Sequence, residues 1–128
     1  MAELSDAELE RYQRHIVLRE VGGQGQQRFR AASVAVIGAG ALASPSLQYL
    51  AAAGIGRLTI IDDDHIELSN LQRQTLFTTA DIGRPKAEVA AARLHALNPH
   101  VELHPRVERL SAANAEALLS GHDIIADG

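Results

Sequence analysis

The residues with the plainest chemical signature lie in the stretch VAVIGAGALASPSLQYL, from Val34 to Leu50. Within it, Gly38-Ala39-Gly40-Ala41-Leu42-Ala43 fits the spacing G-x-G-x-x-G/A. A run of small apolar residues comes before this turn, and an apolar helical pattern comes after it. A turn of this kind lets the backbone approach phosphate oxygens and points a helix N-terminus at them. Gly38 suits the tight turn, Gly40 the close approach, and Ala43 the packing of helix on strand. Asp62 closes the next apolar run, RLTIID. An acid there is placed to accept hydrogen bonds from ribose hydroxyls. Turn and acid together predict a nucleotide site. They do not choose between a dinucleotide for hydride transfer and another nucleotide.

The elements that must position these residues follow from periodicity and punctuation. Ser5-Asp6-Ala7-Glu8 has the form of a capping box, and Leu9, Tyr12 and Ile16 follow at helical spacing. A helix is expected from Asp6 to Leu18. Gly22-Gly23-Gln24-Gly25 interrupts the pattern, and a short helix is expected from Gln26 to Ala32. Ser33–Gly38 is apolar and β-branched enough to be a buried strand. Leu42 to Ala53 reads as a helix ended by Gly54. Pro45 requires that helix to start late or bend. Arg57–Asp62 is a second buried strand.

A long polar crossover then runs from Asp63 to Arg84, with a helical turn expected near Leu71–Leu76. Connections of this length are often functional. Pro85 opens a helix that runs to Leu97, where Asn98-Pro99 stops it. VELHPRV is a third strand, with Pro105 favouring a sheet edge. Ser111 to Leu119 is a helix closed by Gly121, and Asp123–Asp127 a fourth buried strand. Alternation of strands and helices predicts an α/β fold. The expected form is a Rossmann-like parallel sheet with helices on both faces, preceded by N-terminal helices. Residues 1–128 read as a single nucleotide-binding domain, with a helical segment over 1–32 and a βαβ core over 33–128. Ligands of such folds sit beyond the C-terminal strand ends. The chain stops directly after a strand, so the domain is expected to be incomplete at its C-terminus.

The block DDDHIELSNLQRQTLFTTADIGRPKAE, Asp62 to Glu88, narrows the chemistry. It resembles the MoeB/ThiF/HesA group, relatives of the adenylation domain of ubiquitin-activating enzymes. The resemblance rests on Asp62, Asp64, Ser69, Asn70, Leu71, Arg73, Gln74, Phe77, Asp81, Gly83 and Lys86, in order and at matching spacing. RYQRH (Arg11–His15), the glycine turn and LNPH (Leu97–His100) match as well. The likeness runs from about Glu10 to the last residue.

The resemblance implies ATP-dependent adenylylation of the C-terminal glycine carboxylate of a ubiquitin-like sulfur-carrier protein, as used in molybdopterin or thiamine synthesis. It places nucleotide contacts at Gly38, Gly40, Ala41, Asp62, Asp64, Ser69, Asn70, Leu71, Gln72, Arg73 and Lys86. It gives catalytic roles to Arg14, Arg73 and Lys86, with Arg14 reaching into a neighbouring subunit's site, which implies a homodimer. The chemistry suits these residue types. A carboxylate is already ionised near neutral pH, so the reaction needs positive charge and positioning more than a strong base. Arginine offers a planar fork for phosphate oxygens, and lysine a point charge. Asn70 suits a phosphate or ribose oxygen.

Two departures from the family pattern stand out. Ala41 and Ala43 occupy positions where the family turn usually has glycine, and a β-carbon at Ala41 is expected to crowd the nucleotide. The family's Mg²⁺-binding aspartate would fall just past Gly128; Asp127 matches only the first aspartate of that segment. The family's zinc-binding cysteines, its catalytic cysteine and the surface that grips the carrier tail would lie further on. The 128 residues alone are therefore expected to bind ATP weakly at most and not to complete adenylation. Two other functions fit parts of the sequence. An NAD-dependent oxidoreductase would use the turn and Asp62 but leaves Asn70, Arg73 and Lys86 unexplained. A shortened, non-catalytic family member would act in dimerisation or in docking a ubiquitin-like protein.

Composition bounds the remaining classes. A net charge of −4 argues against nucleic acid or an anionic membrane as the main partner. The absence of cysteine removes disulfides and thiolate zinc sites from this stretch and fits a cytoplasmic protein. No apolar run is long enough to span a membrane. His15, His65, His95, His100, His104 and His122 show no metal-binding spacing.

Overall fold

The computed structural model describes residues 3–128. Helix α1 (Asp6–Arg11) starts with the capping box that its sequence predicts: the Glu8 amide donates to Ser5 Oγ at 3.2 Å, and the Ser5 amide donates to Glu8 Oε1 at 3.0 Å. It does not continue to Leu18. Tyr12 breaks the helix with φ −102° and ψ 11°, and α2 (Gln13–Ile16) is a separate turn. The break follows from burial: Tyr12 is 3% exposed, and its hydroxyl accepts a 2.8 Å hydrogen bond from Asn98 Nδ2.

Helix α3 (Gly22–Ala31) starts four residues earlier than expected, so the glycine-rich stretch is helical. Tertiary anchors override the low helix propensity of glycine. Gln26 is fully buried, donates from Nε2 to the Ala53 carbonyl at 2.7 Å, and pairs through Oε1 with His15 Nδ1 at 3.2 Å. Phe29 packs against the core.

The sheet is parallel, with strand order β3-β2-β1-β4 among the described residues. β1 (Ser33–Ile37) pairs with β2 (Arg57–Ile61) from Ser33–Arg57 through Ile37–Ile61. β3 (Glu102–Arg106) lies at one edge, as Pro105 foretold, and β4 (Ile124–Asp127) at the other. β4 was expected to be buried. As an edge strand it leaves Ile124 and Ile125 60% and 49% exposed.

The crossovers α4 (Ala43–Ala53) and α5 (Lys86–Leu97) pack on one sheet face. There Val34, Val36, Leu58 and Ile60 meet Leu47, Ala51, Val89 and Leu94. Strand periodicity turns Ser33, Thr59 and His104 to the other face. Helix α6 (Ala115–Leu119) covers part of that face, across a hollow of about 190 Å³ lined by Arg57, Thr59, His104 and Ser120 among others. α6 starts four residues later than expected, because the Ser111 amide and hydroxyl donate to Asn114 Oδ1 at 2.8 and 3.2 Å and fold a turn first. The polar groups beneath it serve the fold. Arg57 Nε donates to Ser33 Oγ and Arg57 Nη2 to the Gly121 carbonyl, both at 2.8 Å, and His122 Nε2 pairs with the Thr59 hydroxyl at 2.8 Å.

Among the described residues, no helix is long and apolar enough to cross a membrane.

Asn98 joins the N-terminal helices to the core. It is fully buried, and its Nδ2 also donates to the Ala51 carbonyl at 2.8 Å. Asn98→Ala leaves the Tyr12 hydroxyl and this carbonyl without that donor. Denaturant unfolding should show a loss of about 2 kcal/mol; an unchanged midpoint would contradict this role.

Two buried carboxylates contribute to stability against acid. Burial pushes the Glu8 carboxyl up, but hydrogen bonds from Ser5 and the Arg30 guanidinium outweigh it and hold it below its usual value. Burial likewise acts on Asp81, where Thr78 and Arg93 prevail in the same sense. A carboxylate with a lowered folded-state pKa stabilises the fold above its unfolded-state pKa, and that contribution is lost as pH falls through the folded-state value. Thermal midpoints should therefore fall as pH drops from about 5 towards 3. Asp81→Asn should flatten part of that fall, and an identical pH profile would count against it.

Candidate nucleotide-binding cleft

Because β1 and β2 are parallel and in register, Ile37 and Ile61 finish side by side. The Gly38 amide donates to the Ile61 carbonyl at 2.8 Å, and Gly38 turns the chain with φ +100°, a conformation that favours glycine. The next amide, of Ala39, donates to Asp62 Oδ2 at 2.8 Å. Asp62 Oδ1 accepts from the Asp64 amide at 2.7 Å. The acid expected at ribose thus also fastens the glycine turn to the crossover.

Helix α4 starts late, at Ala43. That puts Pro45 in the first turn, where an amide would have no partner within the helix. Ala43 is 2% exposed, which fits the close packing expected of the third motif position. Among the described residues every positive φ belongs to a glycine, so the backbone accepts alanine at position 41 without strain.

Gly40 differs from Gly38. Its φ is not positive, and a β-carbon there would meet only Gln74 Nε2, at 3.7 Å, an ordinary contact. Neither backbone conformation nor packing requires glycine at this position. The remaining physical reason for glycine is close approach of a ligand to the backbone. Ser44, whose amide donates to the Gly40 carbonyl, and Gln74, whose side chain lies near Gly40, each carry a buried oxygen, Oγ and Oε1, with no hydrogen-bond partner among the described residues.

The crossover folds through two 3-10 turns, Leu68–Asn70 and Thr79–Asp81, and the first runs on into the turn expected near Leu71–Leu76, where the Gln74 amide donates to the Asn70 carbonyl at 2.9 Å. Local bonds decide this: the Glu67 amide donates to Asn70 Oδ1 at 3.0 Å, and the Thr78 amide to Asp81 Oδ2 at 2.8 Å. Leu71 packs against the core and anchors the first turn.

Two adjoining hollows result. One, of about 230 Å³, is lined by Gly38 and Asp62 at the strand ends and by Glu108 and Arg109 beyond β3. The other, of about 340 Å³, is lined by His65, Glu67, Asn70 and Lys86. Asp63 and Asp64 lie in the walls of both. Oxygens of Asp62, Asp63 and Asp64 lie within 4.8 Å of one another. Lys86, the only lysine in the sequence, begins α5 with its side chain 7% exposed. Its Nζ is 3.8 Å from Asp64 Oδ2, an ion-pair distance too long for a hydrogen bond.

The cleft thus brings together Gly38, Asp62, Asp64, Asn70 and Lys86, with Gly40 and Ala41 in the adjoining turn. Ser69, Gln72 and Arg73 are exposed beside it and line neither hollow. Arg73 Nη1 donates to the Ser69 carbonyl at 3.1 Å. Arg14 is exposed on α2, while its neighbours Tyr12 and His15 turn inward and stack at 6.3 Å. Sequence reasoning gave no role to Asp63, His65, Glu67, Glu108 or Arg109. Their signal was position: they follow the C-terminal ends of β2 and β3, where ligands of this fold sit.

A parallel sheet with a glycine turn after one strand and an acid closing its neighbour defines a Rossmann-like nucleotide-binding architecture. The chain belongs to the ThiF family, whose model matches residues 12–128. It is 50% identical over 120 residues to the sulfur carrier protein adenylyltransferase of Thermus thermophilus, covering 94% of this chain and 44% of that protein. It is 45% identical over 127 residues to the molybdopterin-synthase adenylyltransferase of Salmonella typhimurium, covering 99% of this chain and 51% of the relative. The chain spans about half the length of these curated relatives. Among solved structures it resembles E. coli tRNA N6-threonylcarbamoyladenosine dehydratase, TcdA. The complex with AMP matches with TM-score 0.92 at 30% identity, over 99% of this chain and 51% of that one. The complex with ATP matches with TM-score 0.90 at 30% identity, over 99% and 52%.

The two glycines should separate in stability measurements. Gly38→Ala forces a positive φ on alanine and sets its β-carbon 3.2 Å from the Gly128 carbonyl oxygen. It should cost about 1–2 kcal/mol, whereas Gly40→Ala should stay within about 0.5 kcal/mol of the parent. Equal losses on denaturation would contradict the distinction.

Proposed function

We propose that this chain is the ATP-binding half of an adenylyltransferase that activates the C-terminal glycine carboxylate of a ubiquitin-like sulfur-carrier protein. The observation that carries this reading is the buried Lys86 ammonium, set in one cavity with Asn70 and Asp64 beside the glycine turn. Two relatives named as adenylyltransferases and a neighbouring structure with ATP bound support it.

In the proposed reaction a carboxylate oxygen of the carrier attacks the α-phosphorus of ATP. The bond to the bridging β-phosphate oxygen breaks, and pyrophosphate leaves with that electron pair. Amides of the glycine turn and the N-terminus of α4 hold phosphate oxygens. Asp62 accepts from ribose hydroxyls with the lone pairs its two amide bonds leave free. Lys86 supplies fixed positive charge, and Asn70 a neutral polar contact. Arg73 leaves the Ser69 carbonyl to reach phosphate, and Arg14 completes the site of a second copy in a homodimer. Ser69, Leu71 and Gln72 shape the turn that presents Asn70. Mg²⁺ would accompany the triphosphate and offset its charge. In this reading the protein acts in the cytoplasm, with molybdopterin or thiamine synthesis as the consuming chemistry.

Nuclear magnetic resonance titration with ATP tests the reading. Shifts should concentrate in residues 38–44, 62–70 and 86. Lys86→Ala and Arg73→Ala should each weaken binding by about tenfold or more. Gly40→Ala should weaken it without loss of stability, and Ala41→Gly should tighten it if the alanine crowds the nucleotide. ATP shifts that ignore Lys86→Ala and Arg73→Ala would overturn the proposed roles. Fluorescence enhancement of NADH in place of ATP binding would point to an oxidoreductase instead.

A further inference from the structure

We infer that Asp81 is a positioning residue for Lys86, a brace that ties the end of the crossover to the helix carrying that lysine. The inference rests on the reading of Lys86 as a phosphate-facing group. Asp81 is 1% exposed and lies outside both hollows, so it touches no ligand placed in them. Its carboxylate is nonetheless saturated. Oδ2 accepts from the Thr78 amide at 2.8 Å, the Thr78 hydroxyl at 2.9 Å and Arg93 Nη2 at 2.8 Å. Oδ1 accepts from Arg84 Nη1 at 3.3 Å. These bonds shape the segment from Thr78 to Arg84.

That segment is stitched in turn to the strand-like stretch that carries Asp64. The Gly83 amide donates to the Ile66 carbonyl at 2.7 Å, the Ile66 amide to the Arg84 carbonyl at 2.9 Å, and the Lys86 amide to the Asp64 carbonyl at 3.0 Å. His65 and Pro85 form an antiparallel bridge between the same stretches. Arg93 closes the loop of constraints. It lies seven residues after Lys86 on α5, two turns along the same side of the helix. The loop therefore grips α5 at two points, at its first residue through Asp64 and two turns later through Asp81. With both held, α5 can neither rotate nor slide without breaking one grip. Among the described residues the Lys86 ammonium has no hydrogen bond of its own, only the 3.8 Å ion pair to Asp64, so its place is set by α5, which these two grips hold together with the packing of Ala87, Val89 and Leu94 in the core.

The lone lysine makes the test specific. Acetylation by an amine-reactive ester, read by peptide mass spectrometry, reports Lys86 apart from the N-terminus. Asp81→Asn and Arg93→Gln are compared with the parent at a temperature where circular dichroism shows all three folded. Arg93 is 43% exposed in its side chain, so its variant covers the case in which Asp81→Asn does not fold. Both variants should speed Lys86 acetylation by at least about threefold, as local opening of the frame exposes the amine. An unchanged rate in a folded variant would overturn the brace. ATP affinity gives an independent cycle: Asp81→Asn should weaken binding by about three- to tenfold in the parent and have no further effect in a Lys86→Ala background. An equal loss in both backgrounds would also overturn it. If Lys86→Ala leaves ATP binding unchanged, the proposed function fails, and the acetylation rates still decide the brace.

Discussion

The cleft depends on one carboxylate that accepts from two amides. Asp62 takes its first hydrogen bond from Ala39, just after β1, and its second from Asp64, just after β2. Parallel pairing in register brings the two strand ends together, and the charged acceptor then fixes the loops that leave them. That link adds to the bond from the Gly38 amide to the Ile61 carbonyl and ties the glycine turn to the crossover. With it they form one wall, and every residue proposed to meet the nucleotide from this side is placed relative to Asp62. The acid expected to read a ribose thus organises the site that would receive it.

Much of this arrangement was legible because it follows from local patterns. Buried strands show as β-branched runs, Pro45 announces a late helix start, and Pro105 announces an edge. The readings that failed concern long-range contacts, which local patterns do not carry, and short polar turns, which an apolar pattern does not show. Tyr12 breaks a well-formed helical pattern because Asn98, far along the chain, claims its hydroxyl. Glycines 22, 23 and 25 are helical because Gln26 and Phe29 are held by the core. The crossover turns fall where Asn70 and Asp81 bond to amides three residues back, a polar signal that an apolar periodicity search passes over.

The candidate site divides along the same line. Asp62, Asp64, Asn70 and Lys86 converge because they lie on segments fixed by the sheet and by α5. Arg14 and Arg73 sit on exposed turns, and their approach to a nucleotide requires a side chain or a second subunit to move. The choice of cation fits this division. The chain has eleven arginines and one lysine, and the lysine occupies the buried position. A guanidinium needs room for a planar fork and partners for five donors, whereas an ammonium is a compact point charge. In a cavity where, among the described residues, Asp64 is the one carboxylate within ion-pair distance of Lys86, the compact charge is the one that fits.

The claim that this cavity holds the phosphates of ATP can be tested at Lys86 itself. An ATP analogue with a reactive acyl group on its terminal phosphate transfers that group to a lysine lying near the bound phosphates. The account predicts acylation at Lys86, suppressed by excess ATP and not by excess NADH. Absence of acylation in the folded protein, or acylation that ATP does not suppress, would contradict it.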